Sequence, residues 1–498
     1  MLDDPPYFSV KKTIFSSVSP FISFTKIIMS YHIYRQKAIH LLKDLREAIA
    51  GTDFDFTEGN LSRAVILLSV PMVLEMLMES VFAVVDIFFI SKLGPDAVAT
   101  VGITESLMTI VYAIGMGLAV GTTALISRRI GQKKYESASI TAFQAIFSGL
   151  LVSILITVPG ILSARLILGL MGANQEMISK GYTYTTIMLG GSGIVMLLFI
   201  INAIFRSSGD AAVSMRILLI ANIINILLDP CLIFGLGPFP EMGVKGAAVA
   251  TCIGRGIAIV YQFYLLFDGK SRIRLKTRNL ILHYGTLLKL IRLSLGGIGQ
   301  SLIATLSWIG VVRIVAQAGS EAMAGYTIAI RIIIFSLLPS VGLSNAASTL
   351  VGQNLGARKP DRAQRSVWYT GKVNMIFLGL TGLILVAVPG NFIRLFIEDP
   401  KVVESGISCL RIISYGFIMY ALGMVMVQAF NGAGDTGTPT IINLFCYWML
   451  EIPLAYFLAI RLGYKETGVS VAIVIAESTM TLWALYLFLR GKWKLREI

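Results

Sequence analysis

Apolar residues gather along the chain into stretches of about 20 or more, long enough to cross a bilayer as helices, separated by short polar or Gly/Pro breaks. Twelve such spans lie near residues 62–91, 97–127, 138–160, 176–206, 214–236, 243–267, 287–318, 322–352, 363–388, 401–430, 438–460 and 467–489. The pattern predicts an all-α polytopic membrane protein. Residues 1–60 read differently. Ile39, Leu42, Leu45 and Ile49 recur at helical spacing among Arg35, Lys37, Lys43 and Arg46, as in a helix lying on the membrane surface. A fully solvated helix fits the same spacing. Upstream, Thr13 to Met29 is moderately apolar but contains Pro20 and Lys26, so it reads as neither a span nor a signal peptide, and Met29 is a second candidate start.

One offset of 225 residues relates the two halves of the chain. Leu68-Ser69 recurs as Leu293-Ser294, Gly94 as Gly319, Gly117-Leu118 as Gly342-Leu343, and Gly209-Asp210 as Gly434-Asp435. The loops match too: RRIGQKKYESA, from Arg128 to Ala138, answers NLGARKPDRA with Gly131 on Gly356, Lys134 on Lys359 and Ala138 on Ala363. Apolar composition alone would scatter such matches, so the register indicates a duplication. Each half holds six spans, an even number, so both enter the membrane in the same direction as parallel repeats. The expected organisation is an N-terminal segment (1–60), a first lobe (61–268), a basic linker (269–286) and a second lobe (287–498) with a short basic tail. Lys and Arg concentrate in the loops on one side, from Arg128 to Lys134, Lys270 to Arg292 and Arg358 to Lys372, which places both termini in the cytoplasm.

Composition agrees. Of 498 residues, 55% are hydrophobic and 14% charged, too few charges to coat a soluble fold of this size. The net charge of +14 would suggest nucleic acid in a soluble protein, but the cations lie in membrane-flanking loops, so no nucleic-acid partner is expected. Cys231, Cys252, Cys409 and Cys446 all fall in apolar stretches without CxxC spacing and read as small buried hydrophobes. His32, His40 and His283 lie in the tail or a loop and assemble no metal or catalytic cluster. No GxxxxGK[ST], HExxH or GxSxG motif occurs, so neither an ATP-driven pump in one chain nor a membrane hydrolase is expected, and no enzyme activity.

A carboxylate inside the bilayer costs about 2.5–3.5 kcal/mol on insertion scales, so each needs a reason. Span 1 holds Glu75, Glu79 and Asp86. At helical spacing, Glu79 lies about 40° and Asp86 about 20° from Glu75, so one stripe carries all three. Span 5 reads ANIINILLDP and sets Asn222, Asn225 and Asp229 on one face, while Pro230 frees the carbonyl of Ile226 nearby. Thr251 of span 6 is positioned to add a hydroxyl. Carboxylate, amide, hydroxyl and free carbonyl are hard oxygen ligands of the kind a proton or sodium ion needs. Pro71 frees the carbonyl of Leu67 and marks a hinge in span 1, with Pro230 a second. At the 225 offset, Glu75 becomes Gln300, Glu79 Ala304, Asp86 Val311 and Asp229 Leu454, which confines the expected ion chemistry to the first half. The second half keeps Arg313, Arg331, Arg411, Glu451 and Glu477, which with Arg255 and Glu105 are expected to line a cavity or form buried pairs.

The run PMVLEMLMESVFAVVDIFFISKLGPDAVA, the NIINILLDP of span 5, the GVKGAAVAT entering span 6 and the paired basic loops resemble the multidrug and toxic compound extrusion (MATE) family over about residues 60–490. The resemblance implies two six-helix lobes around a cavity open alternately to either side, exporting cationic or amphipathic compounds in exchange for protons or sodium. The chain is most similar to the DinF-like and archaeal-type branch, whose first-lobe cation site falls by motif on Asp86, Asn225, Asp229 and Thr251. The NorM-like branch has a helix-7 glutamate where this chain offers Gln300 and no acid. Glu75 and Glu79 go beyond the branch pattern and suggest a further titrating group. The expectation is therefore a monomeric ion-coupled antiporter of the plasma (inner) membrane, in contact with lipid and small-molecule substrates, with no cofactor beyond the coupling ion. A lipid-linked saccharide flippase of the same superfamily is the alternative within transport, and a channel or receptor the alternative from another class.

Overall fold

The computed structural model describes residues 35–36, 39–173, 175–268 and 271–498, so the readings on Thr13 to Met29, His32 and Lys37 lie outside the described residues. Twelve membrane helices, α1–α12, follow the predicted order. The first lobe has α1 (Leu61–Ser91), α2 (Pro95–Gly131), α3 (Tyr135–Leu170), α4 (Gln175–Gly190 continued by Ser192–Ser208), α5 (Ala211–Phe234) and α6 (Val244–Asp268). The second has α7 (Tyr284–Ala316), α8 (Ser320–Gly356), α9 (Pro360–Ala387), α10 (Pro400–Tyr415 continued by Phe417–Ala433), α11 (Gly437–Arg461) and α12 (Lys465–Leu489). Ten are long and apolar enough to cross a membrane and the two parts of α10 together form an eleventh. With 31 residues and a length of about 46 Å, α1 completes the set.

Two spans that read as continuous are interrupted. α10 bends by 54° at Gly416, and α4 breaks at Gly191, its partner at the 225 offset. The repeat thus extends to backbone shape. Gly94 and Gly319 open α2 and α8 with φ of 101° and 107°, and Gly209 and Gly434 end α4 and α10 in the left-handed conformation that other residues adopt only with strain. Lys133 and Arg358 both take φ of 58° in the equivalent basic loops.

Each lobe has its own apolar core. Outward, Leu155, Leu162 and Leu166 on α3 and Leu380, Leu383 and Ile384 on α9 are more than half exposed, the surface expected of helices solvated by lipid. The four cysteines are free thiols.

The lobes meet through α1, α2, α7 and α8. α2 packs on α7, α1 on α8, and α2 on α8, as the repeat relationship requires. Glycine makes this close approach. A Cβ on Gly131 would fall inside the Gln353 carbonyl and one on Gly356 inside the Arg128 carbonyl; Gly117 lies equally close to Ile298, and Gly342 to the Met72 carbonyl, where a Cβ would stand at 2.7 Å. These contacts run along α2 from Gly131 to Gly117, about 21 Å of helix. Toward the other end, Gly94, Gly102 and Gly319 have nothing within 4 Å. The protein is closed at the face that carries the basic loops, and the glycine contacts between the lobes end short of the opposite face.

The N-terminal segment closes over the basic face. Residues 39–50 form a helix that docks through Ala48 and through Asp44 and Glu47, both paired with Arg63, while Ile39, Leu42 and Ile49 stay exposed. The strap after it touches both lobes: Asp55 pairs with Lys133, the Thr57 carbonyl accepts from Lys359, and the Phe56 ring is fully buried. Burial works against the charge on Asp55, but hydrogen bonds from Thr57 and the nearby Lys133 outweigh it and hold the carboxyl below its ordinary range.

Candidate functional site

The polar residues of α1 face the interior of the first lobe in three tiers, set by one helical stripe about 16 Å long from Glu75 to Asp86. In the tier nearest the basic face, Glu75 is 2% exposed and accepts from Arg206 Nη1 at 3.0 Å and Asn202 Nδ2 at 3.1 Å. Gln262 of α6 donates in turn to Asn202 Oδ1 at 2.6 Å. In the second tier, Arg255 of α6 donates to Glu79 at 3.1 Å and lies 4.7 Å from the centre of the Phe82 ring. Glu105 and Tyr112 of α2 neighbour the same guanidinium.

The third tier is different in kind. On α5, Asn225 and Asp229 are one turn apart, 1% and 0% exposed, and Asn225 Nδ2 donates to Asp229 Oδ1 at 3.2 Å and to the Thr251 hydroxyl at 3.4 Å. Both hydrogens of that amide point inward to oxygens, which leaves Asn225 Oδ1 as an acceptor. That oxygen, Asp229 Oδ2 and Asp86 Oδ1 are all buried and lack a hydrogen-bond partner among the described residues. Asp86 and Asp229 lie within electrostatic reach of each other, and neither has an ion-pair partner among the described residues. Leaving three acceptors and two acidic groups unmatched is costly in a low-dielectric interior, a cost that a positive guest would offset. Two carboxylates, an amide oxygen and a hydroxyl suit a proton or a small hard cation.

The structure therefore joins Asn225, Asp229 and Thr251 by hydrogen bonds and sets Asp86 within electrostatic reach of Asp229. It also gives Glu75 and Glu79 cationic partners, Arg206 and Arg255. Asn222 donates its amide to the Met78 carbonyl at 2.8 Å and ties α5 to α1. Gln300 exchanges hydrogen bonds with Asn431 at 3.0 and 3.1 Å and donates to the Thr436 carbonyl, a closed amide pair inside the second lobe. Arg313, Arg331 and Arg411 are exposed and have no ion-pair partner among the described residues, so the buried pairs considered for them do not form. Both Pro71 and Pro230 sit inside continuous helices.

The sequence reading missed Arg206, Asn202 and Gln262. Arg206 stands at the end of a span, where a cation reads as part of a membrane-flanking loop. The signal lay in Glu75, since a carboxylate that deep calls for a cation on a facing helix. Replacing Arg206 with Met strands a buried charge, which typically destabilises by about 3–5 kcal/mol. Thermal unfolding of the purified protein is expected at a markedly lower temperature for Arg206→Met and near the wild-type value for Arg206→Met combined with Glu75→Gln. Equal melting of the two variants would show that the pair carries no such role.

Comparison with known proteins places the chain. A family model, MatE, matches residues 71–231 and again 298–457, once in each lobe. A probable multidrug resistance protein NorM from Thermotoga maritima is 26% identical over 439 residues, spanning 88% of this chain and 94% of that protein. A FAD transporter from Shewanella oneidensis is 26% identical over 427 residues, 86% of this chain and 94% of that protein. Crystal structures described as MATE in the straight and in the bent conformation superpose with a TM-score of 0.81 at 25% identity, covering 88% of this chain and 96% of theirs.

Proposed function

Because the chain belongs to the MatE family of membrane transporters, we propose that it is a secondary active multidrug efflux antiporter, exporting cationic or amphipathic compounds in exchange for a proton or a sodium ion. The observation that carries this reading is the trio of unpartnered buried oxygens on Asp86, Asn225 and Asp229. A site with surplus acceptors and no cation paired to them takes up a positive guest and is able to release it, even with Arg255 within electrostatic reach of Asp86.

Asp86 stands on α1, and the same helix packs its Met72 against Gly342 of the other lobe, next to Pro71. Pro71 cannot donate to the Leu67 carbonyl, so α1 bends there more easily than elsewhere. Cation binding at one end of α1 thus acts on the contact between lobes at the other. A ligand shifts such an equilibrium only by its differential affinity for the two arrangements, and the coupling is reciprocal: cation favours release of drug and drug favours release of cation. With the basic face in the cytoplasm of the cell, by the distribution of Lys and Arg, the arrangement closed at that face is the outward-facing one. The plasma membrane and a monomeric state complete the reading.

The test is efflux of ethidium, norfloxacin and, given the relative named as a FAD transporter, flavin adenine dinucleotide from vesicles, with proton and sodium gradients imposed separately. Export driven by one gradient and not the other supports the antiport and identifies its ion. Absence of export under both gradients, for every compound, rejects it.

A further inference from the structure

α11 and α12 are the second-lobe counterparts of α5 and α6, but the positions of Asp229 and Thr251 hold Leu454 and Ala476. Compared residue by residue, the second lobe is blank. The structure shows why that comparison misleads. α11 is π-helical from Leu444 to Glu451, and a π turn shifts the register of side chains by about one residue. Glu451 stands one turn before Leu454, and Glu477 directly follows Ala476.

Glu451 is 8% exposed, with no hydrogen bond or ion pair to its side chain among the described residues, and Glu477 is partly buried. Glu477 accepts from Tyr447 Oη at 3.0 Å. The two carboxylates lie within electrostatic reach of each other, and no Lys or Arg contributes at either. Tyr326 of α8, 1% exposed and stacked on Trp308, has a buried hydroxyl without a partner and lies within electrostatic reach of Glu451. Tyr420 of α10 and Cys446 complete the titratable groups that face the pair.

Two carboxylates with no cation beside them, inside a membrane helix bundle, are too costly to remain both charged and unmatched. Groups that close titrate as a pair. Two carboxylates and a free phenol are hard oxygen ligands of the kind a proton or a bare ion needs. We infer that Glu451 and Glu477, with the Tyr326 hydroxyl, form a second exchangeable-cation site in the second lobe, occupied by a proton or a sodium ion. The inference deepens the antiport reading, on which its place in a transport cycle rests, and it replaces the expectation that ion chemistry is confined to the first lobe.

The test counts cations on the purified full chain, so it is independent of which compound is exported. Radioactive sodium binding, and proton release into an indicator dye on a step from mildly acid to mildly alkaline pH, are measured for wild type, for Asp86→Asn with Asp229→Asn, and for Glu451→Gln with Glu477→Gln. Each pair of substitutions is expected to remove about half of the bound cation, with sodium binding and proton release telling the two ions apart. Tyr326→Phe keeps both carboxylates and is expected to weaken binding severalfold at this site alone, which covers the case in which the double glutamine variant does not fold. Wild-type cation stoichiometry in a folded Glu451→Gln/Glu477→Gln protein, or unchanged affinity in Tyr326→Phe, overturns the inference. Failure of the antiport reading looks different: the wild type then exports nothing under either gradient, whatever its cation count.

Discussion

Gradient-driven export is expected to fall by more than about tenfold in Asp86→Asn, to the level seen without a gradient, while the protein still inserts and melts like the wild type. The size follows from coupling free energies of about 1–3 kcal/mol, which correspond to roughly 5–150-fold changes in affinity between states. Asparagine keeps the shape of Asp86 and satisfies the same space, but it carries no charge for a cation to neutralise and no proton to exchange. Asp86 makes no ion pair among the described residues, so its replacement strands no charge elsewhere, in contrast to the loss of Arg206. Asp229→Asn is expected to behave alike if, as proposed, the two acids share one guest. Substrate binding in the absence of a gradient is expected to persist, so the variant separates coupling from recognition. Full gradient-dependent export by Asp86→Asn would remove the third tier from the mechanism.

The second large effect is expected at the contact between lobes. In Gly131→Val the new side chain would occupy the position of the Gln353 carbonyl, a backbone atom that cannot swing aside. Overpacking in a rigid core costs about 1–3 kcal/mol, enough to move a two-state equilibrium by roughly one to two orders of magnitude. Here the strain exists only when the basic face is closed, so the substitution shifts the population toward the arrangement open at that face. Export is expected to drop at least about tenfold. Ser127, whose side chain lies under Gly352 in the closed interface, offers the readout. Placed as a single cysteine in a chain whose four native thiols have been replaced by alanine, position 127 is expected to be shielded from a membrane-impermeant maleimide in the parent and labelled in the Gly131→Val background. Equal labelling of both would mean that this glycine contact does not govern closure.

The sequence by itself determined the twelve helices, the two parallel lobes and the shared face of Asn225 and Asp229 on α5. These are local properties: span length follows from apolar runs matched to bilayer thickness, the repeat from one constant offset, and the shared face of Asn225 and Asp229 from one helical turn. Tertiary structure alone decided which of the carboxylates are free. Glu75, Glu79 and Asp86 share one stripe of α1 and look alike in sequence, but α4 brings Arg206 to the first, α6 brings Arg255 to the second, and no cation among the described residues pairs with the third. Partner choice depends on the rotation and depth of a facing helix, which no spacing along one chain segment encodes. The same holds for Gln300, closed off by Asn431 across α7 and α10, and for Gly131, whose importance lies in the close approach of a distant backbone. In the second lobe, Glu451 of α11 and Glu477 of α12 come within electrostatic reach of each other at positions that the 225 offset aligns with Ile226 and Cys252, where the first lobe has no acid.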